Sequence, residues 1–327
     1  MELLKPIVLP NQRQTSNLGF GCAGIMQLPS ARARESLLRT AVDLGITHFD
    51  LARMYGMGAG ERIVGSALKT ERDRLTFATK FGIPFSAPNA LMVKVQSVGR
   101  WVIKLHPALR QRAKKIAGAA QPASDFSPEE MRRSLQTSLD QSGLGHFDLF
   151  FLHEPHGLNP IPSGLEILLE EKKKSGAIGA YGVSAHMPHL LSIWAARPAI
   201  CGEAVQYNYS YLRKFADRMP SGYNGYAGMF GVLGQNFSSV IATLERHPEM
   251  VRTWSERLGC DLSQRENVGV VLLATAFQVN PGGLILYFTS KPERLRSVVK
   301  KLSENRFEAD QLAGFRDAIC GLDDHAN

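Results

Sequence analysis

Short apolar runs rich in β-forming residues alternate along the chain with longer segments whose apolar residues recur at helical spacing. This alternation is typical of β-α units, which build a parallel sheet. An eighth strand is expected within 227–244, in MFGVLG or SSVIATL, beside seven clearer runs. Eight such units predict an α/β protein, a closed (β/α)8 TIM barrel that forms one domain over residues 1–327. The seven clearer strand candidates are FGCAG (20–24), THFDLA (47–52), LTFATKFG (75–82), DLFFLHE (148–154), AYGVSAH (180–186), AVQYNYS (204–210) and LILYFTS (284–290).

Capping residues mark two helices. The segment ARESLLRTAVDLG ends at Gly45, and glycine is common at the position that follows a helix. The segment SPEEMRRSLQTSLDQSG begins with Ser127 at the N-cap, Pro128 at the first helical position and Glu130 at the third. We therefore expect helices between the first and second strands and between the third and fourth.

Two connections are longer than a minimal barrel needs. Residues 84–126 follow the third strand, and barrel connections commonly have about 2 to 6 residues, so we expect an insertion or lid there. A segment that follows the carboxyl end of a strand leaves the barrel on the face where active sites are built. The segment MPSGYNGYAGMFG (219–231), after the sixth strand, predicts a second mobile loop on that face.

A glycine motif near the N-terminus has the G-x-G-x-x-G spacing of a dinucleotide-binding turn, with glycines at 19, 21 and 24 of LGFGCAG. That fingerprint requires a buried strand before the glycines and a helix that begins at the third one. Here the polar stretch NQRQTSN precedes the motif, and Pro29 delays any helix to about Ser30. We therefore interpret the motif as a short glycine-rich strand with close backbone packing.

Composition indicates an ordinary globular protein, with 327 residues, 44% of them hydrophobic and 21% charged. The sequence has no apolar run of about eighteen residues and no signal peptide, so we expect a cytoplasmic protein without a membrane span. The four cysteines are widely spaced, which argues against a disulfide framework or a thiolate zinc site and predicts buried free thiols. They are Cys22, Cys201, Cys260 and Cys320.

The net charge of +8 is spread along the chain, and only residues 100–115, RWVIKLHPALRQRAKK, concentrate it. This segment fits a solvated helix with one buried face. A surface for lipid head groups, nucleic acid or an acidic protein is the alternative. No recognised nucleic-acid motif accompanies it, so we expect no nucleic-acid partner.

Three successive predicted strands end in an ionisable residue that faces one side of the sheet: Asp50 in THFDLA, Lys80 in TFATKFG and His153 in LFFLHE. Tyr55 lies in the loop that follows Asp50. Singly, each residue also has a structural explanation, as a cap, a loop cation, a hydrogen-bonded core histidine or a packing residue. Together, at the strand ends of a barrel, they are candidates for catalysis.

The sequence around these four positions resembles the aldo-keto reductase family. GITHFDLARMYGMGAGERIVGSAL contains a strand ending in Phe-Asp and then Tyr-Gly, TFATKFG contains Ala-Thr-Lys, and DLFFLHEP ends in His-X-Pro. The similarity extends through IGAYGVSAH, AVQYN and the segments from MVRTWSERLGCDLSQ to TSKPERLRSVVKKL. It leaves out 84–126 and is weak over 211–245. The Tyr-Gly-X-Gly-X-X-Glu-Arg pattern is most similar to the subgroup that includes bacterial sugar and aldose dehydrogenases.

The resemblance implies a catalytic tetrad of Asp50, Tyr55, Lys80 and His153. Tyr55 would donate a proton to a carbonyl oxygen that gains negative charge, and would act as base in the oxidative direction. Lys80 would stabilise the phenolate, since a free phenol has a pKa near 10. Asp50 would keep the ammonium charged and oriented, and His153 would polarise the substrate carbonyl.

The resemblance also implies a nicotinamide cofactor across the barrel mouth, NADP or alternatively NAD, without a Rossmann fold. Ser184 and Gln206 match the residues that hold the carboxamide. The chain departs from the family pattern at Ala185, where an asparagine is usual, and His186 could supply the contact that this asparagine makes. It also departs at Leu51, where threonine or serine is usual. No clear Ser-Pro-Leu-Gly segment follows the seventh strand. The candidates for binding the 2′-phosphate are Thr289, Ser290, Lys291 and Arg294.

Two other functions stay open. A metal-dependent barrel hydrolase is suggested by three pairs of residues, although no metal site is expected from them. A non-catalytic binding or scaffold protein would explain the altered cofactor contacts. For an enzyme we expect a small carbonyl or sugar substrate and a monomer or small homo-oligomer. The metal alternative rests on His153 with His156, His186 with His189 and His48 with Asp50, and the expected pocket residues are Arg53, Met54, Trp101 and Tyr226.

Overall fold

The computed structural model describes residues 3–83, 124–156, 160–211, 219 and 223–323. Most of the expected insertion therefore lies outside the described residues. The basic segment 100–115 and Trp101 lie there as well, so their interpretations stay predictions.

Eight parallel strands close into a barrel, which confirms the predicted (β/α)8 TIM architecture. The barrel closes where Ile285, Leu286 and Tyr287 of the last strand pair with residues 18–20 of the first. In the barrel, each strand otherwise pairs with the one before it and the one after it in the chain. The barrel strands are β3 (Leu18–Gly21), β4 (His48–Asp50), β5 (Thr76–Phe81), β6 (Phe147–His153), β7 (Ile178–Ala185), β8 (Ala204–Asn208), β9 (Tyr226–Phe230) and β10 (Leu284–Tyr287).

An antiparallel hairpin precedes the barrel and was not predicted. Its strands are β1 (Pro6–Val8) and β2 (Gln14–Ser16). Leu9, which follows β1, is buried in a cluster with inward-facing residues of the barrel, among them Leu149 and Ala204. The hairpin therefore closes the amino-terminal end of the barrel and leaves the carboxyl ends of the strands for the site.

Helices cover the outside of the barrel, and both predicted capping patterns are present. Ser127 Oγ accepts a hydrogen bond from Glu130 N at 3.2 Å, and Gly45 and Gly143 adopt positive φ angles of 81° and 64°. The helices are α1 (Ala31–Asp43), α2 (Gly60–Leu68), α3 (Pro128–Ser142), α4 (Leu165–Lys174), α5 (Met187–Ala196), α6 (Gln235–Arg246), α7 (Pro248–Leu258), α8 (Arg265–Val279), α9 (Pro292–Glu304) and α10 (Ala309–Asp323).

The seventh barrel strand corrects two expectations. It is Tyr226–Phe230, so the carboxyl half of MPSGYNGYAGMFG is a barrel strand and not a loop. Only the first two residues of MFGVLG belong to it, and SSVIATL lies within α6. The sequence YAGMF has weak β character, and its pairing with β8 and β10 determines its conformation.

The glycine-rich strand is also shifted. It is Leu18–Gly21, and a 3-10 helix over Cys22–Gln27 follows it. A strand at this motif confirms that it is not a Rossmann turn. Cys22 and Cys201 are buried thiols, whereas Cys260 and Cys320 are partly exposed, which corrects the expectation for those two.

Aromatic residues on the outer face of neighbouring strands fix which residues point inward. The ring centroids of Phe20 and Phe49 lie 6.1 Å apart, and those of Phe49 and Phe77 lie 5.8 Å apart. All three rings are fully buried under the helices. Phe49 packs between the barrel strands and the surrounding helices. Because side chains alternate along a strand, the next residue, Asp50, points into the barrel.

Candidate active site

A cavity of about 440 Å³ opens at the carboxyl ends of the barrel strands. Residues from β4, β6, β7 and β8 line it, as do the segments that follow β3, β9 and β10. Among its polar lining residues are Asp50, Tyr55, His153, Glu154, Ser184 and Gln206. Three of the four predicted catalytic residues thus line one cavity, and Lys80 is buried directly behind them.

Lys80 and Asp50 form a buried ion pair at the base of the site. Lys80 Nζ lies 2.5 Å from Asp50 Oδ1 and donates a second hydrogen bond to the carbonyl of Leu51 at 2.8 Å. The two side chains are 1% and 4% exposed. A charge this deeply buried is stable only when it is paired and hydrogen-bonded, and both conditions are met here.

Tyr55 and His153 face each other above this pair. A short 3-10 helix, Tyr55–Gly58, follows β4 and turns the tyrosine back over the barrel mouth. Lys80 Nζ lies 5.2 Å from the centroid of the Tyr55 ring. The His153 ring meets the Tyr55 ring edge-on, with centroids 6.1 Å apart. The fold therefore brings together the four residues that the sequence motifs indicated.

Burial controls the protonation of both aromatic groups. It raises the pKa of Tyr55 well above its ordinary value, and the nearby Asp50 carboxylate raises it further. Lys80 was expected to stabilise the phenolate and so to lower this pKa, and the shift is in the opposite direction. Burial, with a smaller contribution from the Lys80 charge, lowers the pKa of His153 to about 3. At neutral pH the site presents a protonated phenol and a neutral imidazole.

Two of the predicted cofactor contacts are linked to Asp50 by hydrogen bonds. Gln206 Nε2 donates to Asp50 Oδ2 at 2.7 Å, and Ser184 Oγ donates to Gln206 Oε1 at 2.7 Å. All three residues are buried. A continuous chain therefore runs from Lys80 through Asp50 and Gln206 to Ser184, and it fixes which way the Gln206 amide points.

Glu154 is a lining residue that the sequence analysis missed. It follows His153 at the end of β6, and its backbone has a positive φ of 50°. Its carboxylate accepts hydrogen bonds from the His186 backbone N–H at 3.2 Å and from His186 Nδ1 at 3.0 Å. His186 is thus held by a carboxylate. The signal available in the sequence was an acidic residue directly after the predicted catalytic histidine.

A second cavity, of about 900 Å³, adjoins the first. The two cavities share Gln27, Leu233, Tyr287 and Phe288, so they form one continuous groove. The groove reaches three of the predicted phosphate contacts, Thr289, Ser290 and Arg294, and also Arg265 at the start of α8, which sequence reasoning missed. Lys291 lies at the N-cap of α9, is exposed and does not line either cavity.

The turn after β9 also lines the first cavity and was missed. Its lining residues are Gly231, Val232, Leu233 and Gly234, and Phe230 at the end of β9 lines the cavity beside them. This is the position where the family pattern has Ser-Pro-Leu-Gly, and no match was found because the seventh strand had not been located. The ring of Phe230 contacts the ring of His186 edge-on, with centroids 5.8 Å apart.

The residues expected to line a substrate pocket lie elsewhere. Arg53 Nη1 pairs with Glu61 Oε2 at 3.0 Å. Tyr226 packs against the buried cluster that contains Leu9 and Ala204, at the amino-terminal end of the barrel. Neither residue lines the two cavities, and Met54 does not line them either. The buried Glu61 carboxylate holds Arg53 away from the cavity, and sequence spacing alone does not reveal this pairing.

None of the three residue pairs behind the metal alternative belongs to a metal-binding arrangement among the described residues. His48 is buried inside the barrel with Nδ1 3.0 Å from Thr76 Oγ1. Within the described part of the chain, no group of three or more histidine, cysteine or acidic residues has the arrangement of a metal site.

None of the helices in the described residues combines the length and the apolar character that a membrane span requires.

Comparisons with known proteins agree with this geometry. The model of the Aldo/keto reductase family matches residues 17–223. A probable aldo-keto reductase 1 of Glycine max is 31% identical over 179 residues, which cover 52% of this chain and 43% of that protein. A D-threo-aldose 1-dehydrogenase of a Pseudomonas species is 27% identical over 186 residues, covering 54% and 51%. The chain thus spans about half the length of these curated relatives.

Solved structures share the fold at low identity. An aldo-keto reductase from Bacillus halodurans in its holo form superposes with a TM-score of 0.71 at 18% identity, covering 97% of this chain and 96% of that one. An aldo-keto reductase from Klebsiella pneumoniae in complex with NADPH gives 0.67 at 17% identity, covering 97% and 95%. The fold, the residues at the strand ends and the family model agree, and the chain belongs to the aldo/keto reductase family.

Proposed function

We propose that this protein is an NADP-dependent oxidoreductase that interconverts a carbonyl compound and an alcohol, with Tyr55 as the general acid and base. The observation that carries the proposal is the pairing of a protonated Tyr55 with a neutral His153 over the buried Lys80–Asp50 pair. Two uncharged donors at the mouth of a barrel suit an oxygen that gains negative charge during reaction.

The roles of the residues follow from their chemistry. In the reductive direction, His153 donates a hydrogen bond to the carbonyl oxygen and Tyr55 transfers its proton to that oxygen. The phenolate left behind lies beside the Lys80 ammonium, whose Nζ is 5.2 Å from the ring centroid. Asp50 orients Lys80 through the 2.5 Å contact. In the oxidative direction the phenolate accepts the proton from the alcohol. A nicotinamide cofactor, when bound, supplies or accepts the hydride.

The groove has the donors that such a cofactor needs. Ser184 and Gln206 provide a hydroxyl and an amide beside the reacting groups, and the aromatic ring of Phe230 lines the same cavity. At the other end, Arg294 and Arg265 line the second cavity, where guanidinium groups would bind a 2′-phosphate by charge-assisted hydrogen bonds. This arrangement favours NADP over NAD. Ala185 provides no side-chain amide, so one carboxamide contact of the family pattern is replaced or missing.

The relatives support a small carbonyl or sugar as substrate. The Pseudomonas relative carries the name D-threo-aldose 1-dehydrogenase, and the Klebsiella structure holds NADPH. We infer an aldehyde, ketone or aldose from these names together with the hydroxyl-accepting groups of the cavity.

A fluorescence titration of the purified protein with NADPH and with NADH tests the cofactor part of the proposal. We expect tighter binding of NADPH, and Arg294→Ala should weaken it about 10- to 150-fold while leaving NADH affinity almost unchanged, since a charged hydrogen bond contributes roughly 1.5–3 kcal/mol. Lys291→Ala is the matched control, because Lys291 lies outside the groove and should have the smaller effect. If neither nucleotide binds at millimolar concentration, the protein is a binding or scaffold member of the family.

A further inference from the structure

Glu154 is a carboxylate that the chemistry above does not use, although it lines the same cavity as Tyr55 and His153. Its side chain is 25% exposed, so the carboxylate is accessible from the cavity without being fully solvated. Partial burial strengthens its electrostatic effect on any group that enters. Its charge also acts on the site already described, because it helps to raise the pKa of Tyr55.

The backbone conformation indicates that this side chain is retained for a purpose. Within the described ranges, Gln12 and Glu154 are the non-glycine residues with positive φ, at 64° and 50°. Gln12 lies in the turn of the β1–β2 hairpin, where such a conformation is expected. Glu154 instead follows a central barrel strand, and glycine would occupy this conformation at no steric cost. Strained non-glycine residues concentrate at functional sites.

His186 holds the carboxylate in place through hydrogen bonds, and His189 lies nearby without forming one. The Glu154 carboxylate lies 2.9 Å from His186 Nδ1 and 3.9 Å from His189 Nδ1. The His186 backbone N–H, at 3.2 Å, is a further donor. These donors come from the junction of β7 and α5, so the carboxylate is braced between two strand ends. It keeps lone pairs for a ligand, since a carboxylate accepts about four hydrogen bonds and donates none.

We propose that Glu154 determines substrate specificity, by accepting hydrogen bonds from a neutral, hydroxyl-bearing carbonyl substrate and by repelling substrates that carry a carboxylate. This inference rests on the proposed carbonyl chemistry. A fixed negative charge beside the reacting groups disfavours an anionic substrate by Coulomb repulsion, and selection against a competitor is a common route to specificity. Its acceptor atoms match the hydroxyl groups of an aldose or a hydroxyaldehyde.

Three para-substituted benzaldehydes test the proposal, because they differ mainly in charge: 4-carboxybenzaldehyde, 4-(hydroxymethyl)benzaldehyde and 4-(trimethylammonio)benzaldehyde. Reduction by NADPH is measured for the wild type and for Glu154→Gln at pH 8, well above the ordinary titration range of histidine. Glu154→Gln should raise kcat/KM for the anion relative to the neutral compound by roughly 5- to 30-fold, for charges about 8 Å apart at an effective dielectric constant of 20 to 40. Comparing the two proteins cancels the intrinsic reactivity of each aldehyde.

Glu166→Gln is the matched control, because Glu166 pairs with Arg197 and does not line the cavity. It removes the same charge from the protein and should leave the ratio unchanged. An equal change in both variants would overturn the proposal. So would a Glu154→Gln variant that keeps the wild-type ratio but binds NADPH more than tenfold differently, since the carboxylate would then act on the cofactor.

Equilibrium binding of the same three aldehydes, followed by protein fluorescence in the presence of NADP+, separates this proposal from the proposed function. If no aldehyde is reduced but binding still follows the charge order and Glu154→Gln abolishes that order, the reductase function fails and the role of Glu154 stands. If the aldehydes are reduced and the variant keeps the wild-type charge order in both rate and binding, the role of Glu154 fails and the reductase function stands. Absence of both binding and turnover overturns both.

Discussion

Asp50 is the residue on which the polar contacts of the site converge. One carboxylate oxygen accepts a hydrogen bond from Lys80 and the other from Gln206, which in turn accepts one from Ser184. Each buried charge of the ion pair depends on the other, because an isolated charge in the interior costs several kcal/mol. The cation beside Tyr55 is therefore kept in place by its carboxylate partner.

Lys80→Met should destabilise the protein by about 3–5 kcal/mol, because it leaves the Asp50 carboxylate buried without its cation. Urea unfolding followed by circular dichroism measures the free energy of unfolding. The control is the double variant Asp50→Asn with Lys80→Met, which removes both charges and should recover a large part of the loss. If the double variant is as unstable as the single one, the pair does not act as a compensated unit.

The sequence predicted which four candidate residues meet at the barrel mouth but not their hydrogen-bond connections. Strand parity and motif spacing were enough to bring Asp50, Lys80 and His153 to one end of the barrel. The hydrogen bond between Gln206 and Asp50 joins residues 156 positions apart in the chain, and only the closed barrel brings them into contact. The Arg53–Glu61 pair was missed for a related reason, since spacing along a chain does not reveal which buried acid a cation will find.

Among the secondary-structure elements, the last residues of each barrel strand determine which side chains line the cavity. Strand β6 ends at His153, and the positive φ of the next residue turns the chain so that Glu154 and His153 both line the cavity. An extended Glu154 would have pointed to the opposite side of the sheet, because side chains alternate along a strand. The strained residue thus adds a second polar group to one strand end.

Glycine should be better tolerated than alanine at this position. Glu154→Gly should be more stable than Glu154→Ala by about 1 kcal/mol, because only the alanine variant keeps a Cβ in the left-handed region. Thermal unfolding of the two variants measures the difference. Glu171, exposed on α4, is the control position, where glycine should be the less stable substitution by a similar amount. Equal stabilities of the two Glu154 variants would mean that the backbone there is not strained.

Elements with a strong pattern were predicted and weak ones were not. Strand β6 has a continuous apolar run, and α3 has Ser127, Pro128 and a closing Gly143, so both were located from the sequence. Strand β9 is YAGMF, with a glycine at its centre, and closure of the barrel imposes its conformation. The β1–β2 hairpin was missed because its strands are three residues long and only Ile7 and Leu9 supply a buried apolar contact.

At the scale of the whole molecule, the barrel buries ionisable groups in their neutral form, which makes its stability depend on pH. His48 is fully buried between β3 and β5, and burial lowers its pKa to about 4 from 6.5. The unfolded chain therefore binds a proton between pH 6.5 and 4 that the folded chain does not. The contribution of neutral His48 to the free energy of unfolding should be fully present above pH 6.5, and it should be lost as the pH falls towards 4.

The loss attributable to His48 should be roughly 1.4 kcal/mol per pH unit across that window. Urea unfolding at pH 7.5, 6.0 and 5.0 measures it, and His48→Asn, which cannot take up a proton, should show a shallower decline. If the free energy of unfolding falls equally steeply with decreasing pH in the two proteins, His48 is not buried as a neutral group.

The whole-molecule arrangement also explains why the cofactor groove was predicted only in part. Its two ends come from β7 and β8 and from the start of α9, which the family motifs indicated. Its middle comes from Gln27 after β3, Leu233 after β9, and Tyr287 and Phe288 at the end of β10. None of these carries a motif, and they meet only because β3, β9 and β10 are neighbours at the closure of the barrel.

The role of Tyr55 as proton donor is tested by the rate of aldehyde-dependent NADPH oxidation in the Tyr55→Phe protein, measured beside its affinity for NADPH. Phenylalanine keeps the ring that contacts His153 and removes only the proton donor. We expect a fall in kcat of at least about 100-fold, with the NADPH dissociation constant unchanged within about threefold. Wild-type turnover in the Tyr55→Phe protein would mean that the proton comes from another group and that Tyr55 is not the general acid.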